Sequence, residues 1–227
     1  MPARSPRPCG RSAIAESIDL TEGLAEGLAP LARLALAYAP RSGRGDWLTL
    51  LALDARLAGV VRTAREPILA QLKLAWWRDR LSADPAGWPK GEPLLARLSG
   101  WTDPAGLVPL VDGWEGLLAE DPAAPAMSEA FAGGRAAAME ALAARLGCSG
   151  GAAAEAARQW ALADLALDGF TPLEGAPRGP VSALARAMRP LAVLAGVSLR
   201  AVGKGGAAAL YRPGAYFTAI RIGLLGA

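Results

Sequence analysis

The sequence predicts an all-α fold, a single-domain helical bundle. Three observations carry that expectation. Alanine, leucine and arginine dominate while β-branched and aromatic residues are scarce, a composition that favours helix over strand. Apolar residues recur at three- and four-residue spacing in segment after segment, which is the period of a helix. Proline and glycine clusters punctuate those segments, and no convincing strand pattern or internal repeat appears. At 227 residues, 52% hydrophobic and 20% charged, the chain is long enough to bury one sizeable core and lacks the composition of a disordered one.

Residues 1–16 are basic, acid-poor and Pro-rich, and read as a disordered tail; an organelle transit peptide is the alternative. Residues 17–227 form the helical domain. The first helix is expected over about Ser17–Ala39, with Leu24, Leu28, Leu31 and Tyr38 at helical spacing. Gly23 and Gly27 weaken it, Pro30 kinks it and Pro40 ends it. Asp46 is placed to cap a second helix that continues to about Thr63. This helix is apolar almost all round, which suits a central position in a bundle. Asp54 lies seven residues from both Trp47 and Val61, on their face. A carboxylate there needs a partner or it protonates, so a structural hydrogen bond or ion pair competes with a functional role.

Pro67 suits the first position of a third helix ending near Leu81. Leu69, Leu72 and Trp76 make one stripe and Ala70, Leu74, Trp77 and Leu81 the adjoining one; the Trp pair reads as core. A loop containing Trp88 leads to a short helix at about Leu94–Ser99. Pro104 starts another, to about Glu120, with Leu107, Leu110, Val111, Trp114 and Leu118 inward. Ser128 caps the next, which ends at Gly147. Further helices are expected at about Ala152–Leu167, Val181–Ala201 and Pro213–Leu225.

Composition excludes several function classes. The chain has no histidine, so His-dependent triads and His metal sites are ruled out. Its 24 cations against 21 acids give a net charge of +3, and its arginines are spread rather than gathered in a basic stripe, which argues against a nucleic-acid partner. Cys9 and Cys148 sit in no CxxC pattern and read as free thiols in a reducing compartment. No apolar run is long enough for a transmembrane helix. The last segment pairs Tyr216, Phe217 and Ile220 with Arg212 and Arg221, so a peripheral membrane contact competes with a C-terminal core helix. No P-loop, GxGxxG, nucleophile elbow or zinc pattern is present.

The segment REPILAQLKLAWWRDRL (Arg65–Leu81) resembles the squalene/phytoene synthase family, especially its shorter, divergent bacterial members. That family often carries EP-x-L-x-x-x-R-L-x-WWR-x-x-L at this point. Fainter likenesses follow in order in LVDGWEGLL (Leu110–Leu118), FAGGRAAAMEALAARLG (Phe131–Gly147) and QWALADLALD (Gln159–Asp168). Together they cover most of residues 24–200. The resemblance implies an isoprenoid (terpenoid) synthase type of bundle around a central cavity. Active members condense two prenyl diphosphates head to head. Acidic clusters on facing helices hold Mg²⁺ against the leaving diphosphate, and Lys and Arg side chains clamp the phosphates.

Against that pattern the first aspartate motif is vacant. Aligned through Arg56, its acid positions fall on Gly59, Val60 and Thr63; the alternative frame gives Arg56-Leu57-Ala58-Gly59. Asp54 is the only carboxylate on this helix after Asp46. At the second motif Asp168 takes the first aspartate and Pro172 stands at the later acid position. Asp164 and Asp168, four apart, share a helix face.

The resemblance therefore implies a non-catalytic member of the family, acting as a binding or assembly factor, as the branch that assembles respiratory complex I does. It would work with a protein partner of a membrane complex or with a prenyl diphosphate or isoprenoid lipid, and without a cofactor. It would be cytoplasmic or peripheral at the inner membrane. The alternative is an active Mg²⁺-dependent prenyltransferase. In it Asp54, Asp164 and Asp168 would be the catalytic candidates, Asp164 and Asp168 the metal ligands, and Arg56, Lys73 and Arg78 the diphosphate-binding cations.

Overall fold

The computed structural model describes residues 23–226, and all of their regular structure is helical. Nine α-helices follow one another among the described residues from Pro30 onward: α1 (Pro30–Ala37), α2 (Arg44–Arg62), α3 (Pro67–Ser82), α4 (Pro93–Leu98), α5 (Val108–Gly116), α6 (Pro125–Arg145), α7 (Gly151–Leu167), α8 (Arg189–Gly203) and α9 (Pro213–Leu225). Residues 23–26 are also helical. The expected basic tail at 1–16, and Ser17–Glu22 of the first expected helix, lie outside the described residues.

Proline sets most of the helix starts. Pro30, Pro67, Pro93, Pro125 and Pro213 each take the first position of a helix, where the missing N–H costs nothing and the fixed φ is already helical. This corrects three expectations. Pro30 begins α1 after a turn at 27–29 and does not kink a longer helix. Pro125 starts α6, so Ser128 is a buried residue inside the helix and not its cap. The segment expected as one helix from Pro104 is a 3-10 turn, Pro104–Leu107, running into α5, which ends at Gly116. Likewise α8 starts only at Arg189, after an irregular stretch from Val181 and the turn Arg186–Met188.

Asp46 is in the first turn of α2 without capping it; its carboxylate accepts from Arg145 Nε at 2.7 Å and pins α2 to the end of α6. That end closes on Gly147 at φ +70°, with Cys148 N–H donating to Ala143 O at 2.8 Å, the hydrogen bond of a Schellman cap.

In the C-terminal half α5, α6, α7, α8 and α9 pack each against the next. Helix α2 meets α1, α3, α4, α5 and α6 and buries Trp47, Leu50, Leu53, Leu57 and Val61. It is the central helix that its all-round apolar sequence predicts. Trp47 donates its indole N–H to Ala187 O at 2.9 Å, tying the start of α2 to the turn before α8. One contiguous core runs from Leu28 to Ile222.

At the α5–α6 crossing the two backbones come close. A Cβ on Gly134 would overlap the Pro109 carbonyl oxygen and sit 3.2 Å from Leu110 Cα, and one on Gly113 would sit 2.9 Å from Phe131 Cα. Two glycines, one on each helix, let the backbones touch.

Helix α3 corrects a further expectation. Its stripe Ala70, Leu74, Trp77 and Leu81 is buried, but Leu69, Leu72 and Trp76 face outward with Ile68. Trp76 meets Trp77 edge-on, with ring centroids 5.1 Å apart, and only Trp77 is core. Helix α3 packs on one side, against α5 and α2, so among the described residues nothing covers the second apolar stripe.

Candidate functional site

Two helices bring the acidic candidates together. Asp54 comes from the middle of α2, Asp164 from the last turn of α7, and Asp168 from the residue that terminates α7. All three line one cavity of about 220 Å³. Its other walls are apolar, with Leu51, Ala55 and Ala58 of α2 facing Leu194 and Val197 of α8, and Leu31 and Leu34 of α1 between. Exposed Pro30, Tyr211 and Tyr216 mark its open side.

The carboxylates are not free. Arg135 of α6, 3% exposed, reaches between two of them. Its Nη2 donates to Asp54 Oδ2 at 2.9 Å and its Nε approaches Asp54 Oδ1 at 3.4 Å. Its Nη1 lies 2.8 Å from Asp164 Oδ2, an ion contact whose angle falls outside hydrogen-bond geometry. Asp54 also accepts from the Trp114 indole N–H of α5 at 2.8 Å. Arg62, at the end of α2, pairs with Asp168 and stands 3.7 Å from Asp164 Oδ2.

Aromatic rings complete the seat of Arg135. Its guanidinium carbon is 3.9 Å from the Trp160 ring centre, 4.6 Å from Phe131 and 5.5 Å from Trp114, within the range of cation–π attraction. Burial works against the charge of Arg135, but Asp54 and Asp164 outweigh it, so the guanidinium is held above its ordinary pKa. Asp168 is at the rim, its side chain about a third exposed (34%). Burial, followed by repulsion from Asp164, raises its carboxyl above the ordinary carboxylate value, and Arg62 offsets only part of this.

Two guanidiniums therefore answer three carboxylates, and the cluster carries about one negative charge. Such a donor set does not fit a Mg²⁺ cluster. A hard divalent cation takes its ligands from free carboxylate oxygens and water, and here the oxygens of Asp54 and Asp164 face a buried guanidinium. Among the described residues no group of three or more His, Cys, Asp and Glu side chains is arranged to hold a metal ion.

The cationic candidates lie elsewhere. Arg56 and Lys73 border a second, more open cavity of about 340 Å³, together with Gly59, Val60 and Thr63, the positions where the synthase motif would carry acids. Arg56 is 3.5 Å from Glu92 Oε2. Arg78 of α3 donates from Nε to Asp112 Oδ1 at 2.7 Å and pairs with Glu115; it clamps α3 to α5. None of the three lines the carboxylate cavity.

Sequence reasoning missed Arg135, Arg62 and the Trp114–Asp54 hydrogen bond. A signal for Arg135 was present. It lies four residues after Phe131 and seven before Leu142, on an apolar helix face, the same anomaly that singled out Asp54. Two opposite charges, each on an apolar face, are candidates for one another.

No family model matches this chain, and neither a curated protein nor a solved structure matches it. Among the described residues no helix is long and apolar enough to cross a membrane.

Proposed function

We propose that this chain is a non-catalytic protein of squalene/phytoene synthase-like build, a binding or assembly factor whose cavity takes a single apolar chain with an uncharged head. The observation that carries this reading is Arg135. Seated between Asp54 and Asp164, it satisfies internally the carboxylates that a diphosphate-ionising enzyme would offer to metal. Cavity size supports the reading. A cavity of roughly 150 Å³ lined by apolar side chains holds benzene, whereas sites for drug-sized ligands start near 300 Å³. About 220 Å³ suits part of one chain and not two prenyl chains side by side. Charge supports it too, since neither Arg62 nor Arg135 is spare to receive a diphosphate and the cluster is net negative.

The prenyltransferase reading has one observation in its favour, the convergence of Asp54, Asp164 and Asp168 on one cavity. A single experiment separates the two. The chain is incubated with farnesyl diphosphate and Mg²⁺ while diphosphate release is measured, and farnesol is titrated against fluorescence from Trp160, which lines the cavity, with Trp160→Phe as control. The expected result is no diphosphate and a saturable fluorescence change. Diphosphate release that Asp168→Ala abolishes would overturn the non-catalytic reading.

A further inference from the structure

Helix α9 inverts the usual order of sizes. The face it packs against α8 and α1 is built from Ala215, Ala219, Ile222 and Gly223. Its bulky residues point the other way. Tyr216 is 52% exposed, Phe217 72%, Ile220 45%, Leu224 63% and Leu225 75%. At 100° per residue these five span about half of the helix circumference, interrupted only by Arg221. Tyr211, just before the helix, is 67% exposed and extends the patch. A helix that is apolar on both faces and packed on only one leaves a large apolar surface in need of an apolar partner.

Charge identifies the partner. Every one of the 21 acids lies at or before Glu174, while seven of the 24 cations lie beyond it. Four of these surround α9. Arg212, just before it, and Arg221, on it, are exposed, Arg200 lies over Gly214, and Arg189 Nη1 donates to Gly223 O at 3.1 Å. Bulky apolar and aromatic side chains flanked by cations, on a helix that carries no acid of its own, are the pattern of a helix lying in an anionic bilayer interface. A second copy of the same face is disfavoured, because a two-fold contact would set like charges against each other.

We propose that α9 is a membrane-docking helix, its outer face lying in the interface of an anionic bilayer. Tyr211 and Tyr216 belong both to this face and to the open side of the carboxylate cavity. Docking therefore turns the cavity mouth toward the lipid. The exposed residues of α9 would dock in this way whatever the cavity holds.

The test is co-sedimentation of the full chain with vesicles of phosphatidylcholine alone or with about 30% phosphatidylglycerol. Binding is expected to be about tenfold or more tighter on the anionic vesicles and to weaken with salt. The double variant Phe217→Glu/Leu224→Glu is expected to lose it. Ile68→Glu/Leu72→Glu, on the exposed apolar stripe of α3, should retain it. All four positions are exposed, so a circular-dichroism melt should report an intact fold in both variants. Three results would overturn the proposal: no pelleting with either vesicle, equal losses in the two variants, or a dimer in light scattering that Phe217→Glu dissociates without any vesicle binding. The last would assign the face to a second copy.

Discussion

Replacing Arg135 by methionine keeps most of the side-chain volume and removes the charge. Asp54 retains the Trp114 indole hydrogen bond at 2.8 Å but loses the guanidinium at 2.9 Å, and Asp164 loses its 2.8 Å contact. Breaking a buried ion pair by removing one partner costs about 3–5 kcal/mol, mostly because the remaining charge is left without compensation. In a chain of this size each 1 kcal/mol moves Tm by about 2–4 °C, so the expected fall is on the order of 6–20 °C. Urea unfolding followed by circular dichroism gives the free energy directly. The triple variant Arg135→Met/Asp54→Leu/Asp164→Leu separates charge from packing. If unpaired carboxylates cause the loss, it recovers most of the stability, because an apolar replacement of a whole buried ion cluster is often neutral or better. A single variant within about 1 kcal/mol of the parent, or a triple variant no better than the single one, would refute the reasoning.

Other positions give sharper tests of packing. Gly134→Ala should destabilise by about 1–3 kcal/mol, since its Cβ would run into the backbone of Pro109 and Leu110. Gly59→Ala, at an open site within α2, should stabilise by about 0.5–1 kcal/mol; urea midpoints measure both. Asp168→Asn should stabilise the chain at neutral pH. The raised carboxyl of Asp168 means the folded state prefers the protonated form, so ionisation weakens folding as pH rises through the folded pKa. Asparagine removes that penalty, and its benefit should vanish below the ordinary carboxylate range; melts across pH check the sign. Arg78→Ala, which releases Asp112 and Glu115, should cost no more than about 1 kcal/mol at this half-exposed position, and high salt should reduce the difference.

The helices were largely legible in the sequence because their boundaries are local. Pro67 and Pro213 announced their helices, and Gly147 closed α6, through backbone chemistry that needs no tertiary partner. Errors arose where local signals were ambiguous. Pro30 and Pro125 serve equally as breakers and as first residues, and only the packing of α1 against α8 and of α6 against α5 decides. Faces were harder. On α3 two apolar stripes were visible, and which one is buried depends on where α5 and α2 lie. On α9 the size of Phe217 and Leu224 suggested core, while the space beneath the helix admits only alanine and glycine at Ala215, Ala219 and Gly223. Asp54 stood out as a charge on an apolar face, yet its partner Arg135 is 81 residues away, beyond any window that periodicity can span.

The Asp54–Arg135–Asp164 cluster also has a consequence for which arrangement of the bundle is populated. Alanine-rich helices offer each other nearly uniform surfaces. Between the alanine-rich α6 and α7, a slide by one turn, about 5.4 Å, exchanges alanine for alanine at many contacts. The cluster removes that degeneracy. Helices α2, α6 and α7 each contribute one charge, and α5 contributes the indole of Trp114. A one-turn slip of any of the three charged helices strands a charge inside the bundle, at a cost of several kcal/mol. Four helices thus share one point of alignment, which joins the glycine contacts of α5 and α6 in selecting a single lowest-energy register.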